Sequence, residues 1–311
     1  MTGAFGTLGR AGVRELVARG HLVRCLDVPT RANRRAARRL GDRVEVLWGD
    51  VRDAACMRAA VVGQEAVLHD AAILAPASER DPDRSWAVNV EGTRGLVAAL
   101  AAAAPDSILV HPSSVTVFGA DPARRAPVRA GDPVVATDHY TRQKLACEDI
   151  VRASALRWVI LRIGVCVDPR AKRGDLDALR LLFEVSSDNR LEYVHPEDVA
   201  RAQVTALGCP EAWGKVLLVG GGASCQVRHR ALVDALFSAL GVAPPPGDAF
   251  GDAPFYTDWM DTAESQRLLA YQRRSFDDFR RELAESMRLV RRALVPVRPL
   301  VRRWLLARSA R

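Results

Sequence analysis

Thr2-Gly3-Ala4-Phe5-Gly6-Thr7-Leu8-Gly9 opens the chain, leads into a helical pattern that runs to Arg19, and stops at Gly20. Glycines at three-residue spacing let a backbone turn tightly and approach a pyrophosphate, whose charge then sits at the positive helix N-terminus. A glycine triplet alone is equally a plain loop cap, so its meaning depends on the residues after it. The next apolar run, Leu22–Leu26, ends in Asp27. That is about 20 residues onward, the distance at which an acid can take a ribose 2′-hydroxyl.

Working outward, Val44–Trp48, Ala66–His69, Ile108–His111, Trp158–Leu161 and Val216–Val219 are further short apolar runs, separated by stretches long enough for crossover helices. This alternation predicts an α/β chain with a doubly wound parallel sheet. Asp27, Asp50, His69 and Ser113-Ser114 stand at strand ends, where such a sheet forms its ligand crevice. Residues 1–164 read as a dinucleotide-binding domain, and 191–222 return to the same core. The segments 165–190 and 223–286 read as a smaller substrate-facing region over the carboxyl edge, because Asp168–Asn189 and the Pro-, Gly- and Asp-rich Ala243–Asp261 interrupt the alternation. Only Met1 and Thr2 precede Gly3, although a buried strand should lead into such a loop. That strand lies mid-sheet, so its neighbours would keep unpaired ladder groups. We therefore expect the chain to start several residues late, and an N-terminal extension to raise its melting temperature.

The composition, 49% apolar and 26% charged over 311 residues, suits a globular protein with a large core. Six cysteines are scattered without a C-x-x-C pair or zinc spacing, which predicts no metal and no disulfide framework. With no run of eighteen apolar residues and no leader before the first motif, a soluble cytoplasmic protein is expected. The net charge of +8 is accounted for by the eight arginines after Glu285, a stretch without acids. The main domain therefore carries no nucleic-acid footprint.

The strongest chemical signal is Tyr140-Thr-Arg-Gln-Lys144 at the start of a helical pattern, in a chain with four tyrosines and three lysines. The spacing puts phenol and ammonium on one helical face. A phenol with an ordinary pKa of about 10 is a poor base at neutral pH, and a neighbouring ammonium stabilises its phenolate. Ser114 follows the run Ile108–His111, where its hydroxyl can hold a substrate oxygen. Two serines after a strand are otherwise turn formers.

These pieces occur in an order that resembles the extended short-chain dehydrogenase/reductase family, the relatives of NAD-dependent epimerases and dehydratases. The resemblance extends through Gly49-Asp50-Val51, His69-Asp70-Ala71-Ala72, Asn89-Val90-Glu91-Gly92-Thr93, Leu161-Arg162 and His195-Pro196-Glu197-Asp198-Val199-Ala200. It implies a Rossmann fold that binds NAD, with NADP the less favoured cofactor. Gly3, Phe5, Gly6, Thr7, Leu8, Gly9 and Asp27 would hold the dinucleotide, with Asp50 and Val51 flanking adenine and Ala71 and Ala72 lying along it. Tyr140 would act as general acid/base, Lys144 bind the nicotinamide ribose, and Ser114 polarise the reacting oxygen. Asn89 would hold a structural or proton-relay water. For Asn89 and His69 the plain alternatives are a turn cap and a satisfied core histidine. A homodimer is a further family expectation.

The chain departs from its relatives at informative places. Sugar-nucleotide dehydratases carry Thr-Asp-Glu where this chain reads Ser114-Val115-Thr116, so the acid and base that expel water are missing. Sugar-nucleotide epimerases show Leu-Arg-Tyr-Phe-Asn where it reads Leu161-Arg162-Ile163-Gly164-Val165, and Phe118 replaces a frequent tyrosine. The leading expectation is an oxidoreductase for a small-molecule alcohol or carbonyl. The alternatives are a sugar-nucleotide epimerase and a dinucleotide sensor without turnover. Met287–Arg311 interleaves leucine, valine and tryptophan with arginine, and Pro296 and Pro299 should break it into two short helices. Such a tail packs on its own body, on a partner, or on an anionic membrane surface.

Overall fold

The predicted apolar runs form parallel strands in the computed structural model, which describes residues 1–121, 123–170, 182–253 and 255–307. They are β1 (Val23–Asp27), β2 (Val44–Trp48), β3 (Ala66–Leu68), β4 (Ile108–Ser114) and β5 (Arg157–Ile163). A short strand β6 (Arg190–Glu192) follows, then β7 (Lys215–Val219) and β8 (Gln226–Arg228). Central strands outgrow their predicted ends because they pair on both sides: β4 is buried along its whole length, and all seven of its residues pair with β5. Leu22, expected to begin β1, is fully exposed and lies outside the strand.

β3, β4, β5 and β7 form one four-stranded sheet and β1 pairs only with β2. The two parts meet at Met1 and Thr2, in the mid-sheet position that the sequence reading gives to an absent strand. Leu26 N–H donates to Met1 O (2.8 Å), Thr2 N–H to Leu68 O (3.0 Å), and Asp70 N–H to Thr2 O (3.2 Å). Two residues thus supply what ladder pairing exists between β1 and β3.

Helices cover both faces. On one side α1 (Thr7–Ala18) packs against the helix Pro196–Leu207 over a cluster that includes Val13, Val110, Leu161 and Val219. On the other, the helices Ala54–Val61 and Gly92–Ala103 close over Leu26, Leu96, Leu109 and Ile160. β6 and β8 pair antiparallel beyond the carboxyl edge, where Leu191, Tyr193, Phe276 and Phe279 form a separate small core. The Pro-rich stretch after residue 243 is mostly irregular and crosses this edge, as the sequence suggests. Part of the other expected insertion, residues 171–181, lies outside the described residues.

The helix His139–Arg152 carries Tyr140 and Lys144 and starts at a capping box, Asp138 bonding Thr141 N–H at 2.7 Å. It is tied to the sheet by a buried ion pair. Glu148, fully buried, accepts from Arg162 of β5 (3.0 and 2.8 Å) and from Ser113 Oγ of β4 (2.6 Å). Arg162 also donates to Ala130 O at 3.0 Å. Removing one member of such a pair leaves the other charge buried and uncompensated. Glu148→Ala should therefore lower the unfolding free energy by about 3–5 kcal/mol in urea titration. A loss below about 1 kcal/mol would show that the pair is screened.

Candidate active site

Strand ends, a glycine loop and one helix converge at the carboxyl edge on a cleft of about 860 Å³. Gly3, Gly6, Thr7, Leu8 and Gly9 form its base, Ala72 and the Leu74–Pro76 turn one wall, Pro112–Thr116 the back, and Tyr140 and Lys144 the side. The loop is tight because it lacks side chains. Gly3 has φ +62°, and a Cβ there would lie 2.6 Å from Ala71 N. A Cβ on Gly9 would lie 2.0 Å from Gly3 O, whereas one on Gly6 meets only Gly3 O at 3.4 Å. Gly6 also provides no side-chain cap to α1. The first-turn N–H groups therefore face the cleft, the arrangement that accepts a pyrophosphate. The loop fits a dinucleotide.

Ser114, Tyr140 and Lys144 share this cleft. Strand alternation separates the two serines: Ser113 turns to Glu148, while Ser114 Oγ accepts from Thr116 N–H (3.2 Å) and Thr116 Oγ1 (2.9 Å). The Ser114 proton is thereby left for another acceptor. Lys144 Nζ, almost fully buried, donates to Pro112 O (2.8 Å) and lies 5.7 Å from the Tyr140 ring centre. Among the described residues the Tyr140 hydroxyl has no hydrogen-bond partner.

Other predicted residues stand elsewhere. Phe5, within the loop, is buried against Trp48 (5.5 Å between ring centres), and Ala71 lies beside Gly3. Asp27 accepts from Phe5 N–H, Val28 N–H and Asn33 Nδ2, at 2.8, 2.8 and 3.0 Å, and burial raises its pKa. Asp50 is held by a bidentate ion pair with Arg52, which lowers its pKa, and Val51 is buried under Gly92. Asn89 lies behind the cleft wall and is buried. Its amide is bonded to Ile73 N–H, Ile73 O and Gln143 Oε1 (2.7, 2.9 and 2.7 Å), so it braces the cleft wall from behind. His69 is a satisfied core histidine, bonded to Thr2 and Thr93 and pushed down to about 3 by burial and by Lys144.

Sequence spacing missed four contributors. Thr116 holds Ser114. Glu79 reaches across 60 residues to accept from His139 N–H (3.1 Å) and Tyr140 N–H (3.0 Å), completing the cap of the Tyr140 helix. Phe255 and Tyr256, stacked at 4.1 Å, close the cleft from the region expected to face substrate. Only their place in a Pro-rich insertion hinted at them. Tyr256 has its pKa raised by burial and by Asp138.

On the cleft floor Asp70 Oδ2 is closed off from solvent and has no hydrogen-bond partner among the described residues. Oδ1 accepts from Gln203 at 2.6 Å. Burial pushes its pKa up to about 6. Because the folded chain holds this proton more tightly than the unfolded chain, stability is full below about pH 4 and falls as pH rises toward and past 6. Asp70→Asn cannot ionise, so its stability relative to the parent should rise by about 3 kcal/mol between pH 4 and pH 7.5. Urea unfolding at both values measures this, and a pH-independent difference refutes the raised pKa.

A family model described as "NAD dependent epimerase/dehydratase family" matches residues 1–220. The 3 beta-hydroxysteroid dehydrogenase/Delta 5-->4-isomerase of Mycobacterium tuberculosis is 31% identical over 196 residues, 59% of this chain and 50% of that one. Cinnamoyl-CoA reductase 1 of Oryza sativa subsp. japonica is 30% identical over 257 residues, 74% of this chain and 72% of its own. A short-chain dehydrogenase/reductase superfamily protein from Agrobacterium tumefaciens, solved with bound NAD, superposes with TM-score 0.77 at 23% identity, covering 94% of this chain and 97% of that one. The chain spans about half the length of the first curated relatives it matches. With 220 of its 311 residues matched in one piece, and the fold in agreement, the chain belongs to the NAD-dependent epimerase/dehydratase family.

Proposed function

We propose that this protein is an NAD-dependent oxidoreductase that interconverts an apolar secondary alcohol and its carbonyl. The observation that carries the reading is the meeting of Ser114, Tyr140 and Lys144 in one cleft floored by the glycine loop. Bound NAD would accept the hydride from the carbinol carbon. Tyr140, with its hydroxyl open to the cleft, would take the hydroxyl proton as the carbonyl forms. Lys144 would favour the phenolate by its charge and hold the nicotinamide ribose. Ser114 would donate its remaining proton to the substrate oxygen, oriented by Thr116.

The cleft walls support an apolar substrate. Leu74, Ala75, Pro76, Ile163, Val165 and Phe255 line it, and its described acids, Asp70, Glu79, Asp168 and Glu184, oppose a second diphosphate. Arg190, the nearby arginine on β6, is engaged by Asp258 at 2.6 and 3.0 Å. The names of two relatives, a hydroxysteroid dehydrogenase and a cinnamoyl-CoA reductase, agree with this class.

With a 3β-hydroxysteroid as first probe and NAD added, turnover should give a net rise in reduced-nicotinamide absorbance. Tyr140→Phe should lower the rate by about 10²–10⁴-fold and leave NAD affinity nearly intact, because it removes only proton transfer. Lys144→Ala should harm both. An epimerase returns its hydride each turnover, so interconversion of a sugar nucleotide and its epimer without net absorbance change would replace this reading. NAD binding without turnover, unchanged by Tyr140→Phe, would indicate a sensor.

Asp27 supports NAD over NADP, since a carboxylate accepts ribose hydroxyls and repels a 2′-phosphate. Arg34, 5.1 Å over the Trp48 ring, is the competing charge nearby. NADH should bind at least about tenfold more tightly than NADPH, a difference of about 1.4 kcal/mol. Fluorescence titration with both decides it, and an NADPH preference would mean that the arginine dominates.

A further inference from the structure

The segment after Glu285 forms two short helices, Arg288–Ala293 and Arg298–Leu306, joined by a turn at Val295–Val297. The break into two short helices is the one expected at the prolines: Pro296 lies in the turn, and Pro299 sits in the first turn of the second helix. The second helix docks on the body through Val301, Leu305 and Leu306, which join Phe183, Val233 and Phe237 in one cluster. Arg302 secures it by donating to Ala243 O and Pro244 O. Docking uses one stripe of this helix. It carries a second.

Leu300 and Trp304, one turn apart, face outward at 65% and 45% exposure. Leu289, Val290, Val295 and Val297 extend the same exposed set. Of the fourteen large hydrophobic side chains exposed among the described residues, six fall between 289 and 304. Arg288, Arg291, Arg292 and Arg303 are exposed among them. Arg288, Arg291, Arg292 and Arg303 form no ion pair among the described residues, and no acid follows Glu285. The body covers the inner stripe, and the outer one stays exposed.

We infer that this outer face is a docking surface for an anionic phospholipid membrane, along which the two helices lie. Charge complementarity selects the occupant. A second copy would bring like-charged arginines together across a two-fold interface, whereas an anionic headgroup layer meets the guanidinium groups and takes the leucine and tryptophan side chains at its boundary. Among the described residues no helix is long and apolar enough to cross a membrane, so the contact is peripheral. The surface also lies one packing layer from the cleft. Phe183 touches the docked helix, and the adjacent Glu184 lines the cleft and accepts from Ala253 N–H. Membrane contact would hold the cleft mouth near the lipid phase in which an apolar alcohol dissolves.

Co-sedimentation of the full chain with vesicles tests the surface without any substrate, so it stands or falls apart from the proposed reaction. Phosphatidylcholine vesicles with about 30% phosphatidylglycerol should bind the protein at about 50 mM salt, and pure phosphatidylcholine should not. Raising salt to about 500 mM should weaken binding about tenfold or more. So should Leu300→Ser/Trp304→Ser, and Arg292→Gln/Arg303→Gln, each with an unchanged melting temperature. Absence of binding to anionic vesicles, equal binding to both lipids, or full retention by both double variants would overturn the inference. A self-association abolished by Leu300→Ser/Trp304→Ser, with no vesicle binding, would assign the face to a second copy.

Discussion

The geometry of the site depends on one buried contact, the Glu148 carboxylate shared by Arg162 and Ser113. It joins the helix bearing Tyr140 and Lys144 to β5 and β4 at once. Ser113 lies beside Ser114, and Glu148 is one helical turn beyond Lys144. The same bonds that neutralise a buried charge therefore set the distance between the back of the cleft and its side wall. A charge placed so deep is tolerated only with its partners in place, and this makes the geometry specific.

The other end of that helix is held from further away. Asp138 bonds the third N–H of the helix, and Glu79 bonds the first two. Helix N-terminal donors need acceptors, and here one acceptor comes from the wall that also carries Leu74 and Pro76. Wall and helix are thereby joined. Asn89 does similar work behind the wall by holding both backbone groups of Ile73. The wall and the Tyr140 helix on two sides of the cleft are thus connected through hydrogen bonds to backbone groups.

Much of this is legible in the chain. The strand runs, the glycine loop, the helix start before Tyr140 and the serine at the end of β4 are readable from local pattern, because periodicity, caps and turn residues act over a few positions. The role of Asn89 escapes such a reading for the same reason. Its sequence context marks it as special, but only folding brings Ile73 and Gln143 to its amide. Likewise, nothing in the neighbourhood of Asp50 separates a ligand from a carboxylate already paired to Arg52.

The sequence by itself determined the alternation of strand and helix, the glycine-lined phosphate cradle and the one-turn spacing of phenol and ammonium, since each is set by residues within a turn or a strand of one another. Tertiary structure decided what depends on contacts across the chain. Glu79 comes to cap a helix 60 residues away, Phe255 and Tyr256 come to close the cleft, and Arg190 is neutralised by Asp258. It also decided which stripe of the last helix is buried. Both stripes have the same local pattern, and only the presence of Phe183 and Phe237 against one of them tells the inner from the outer.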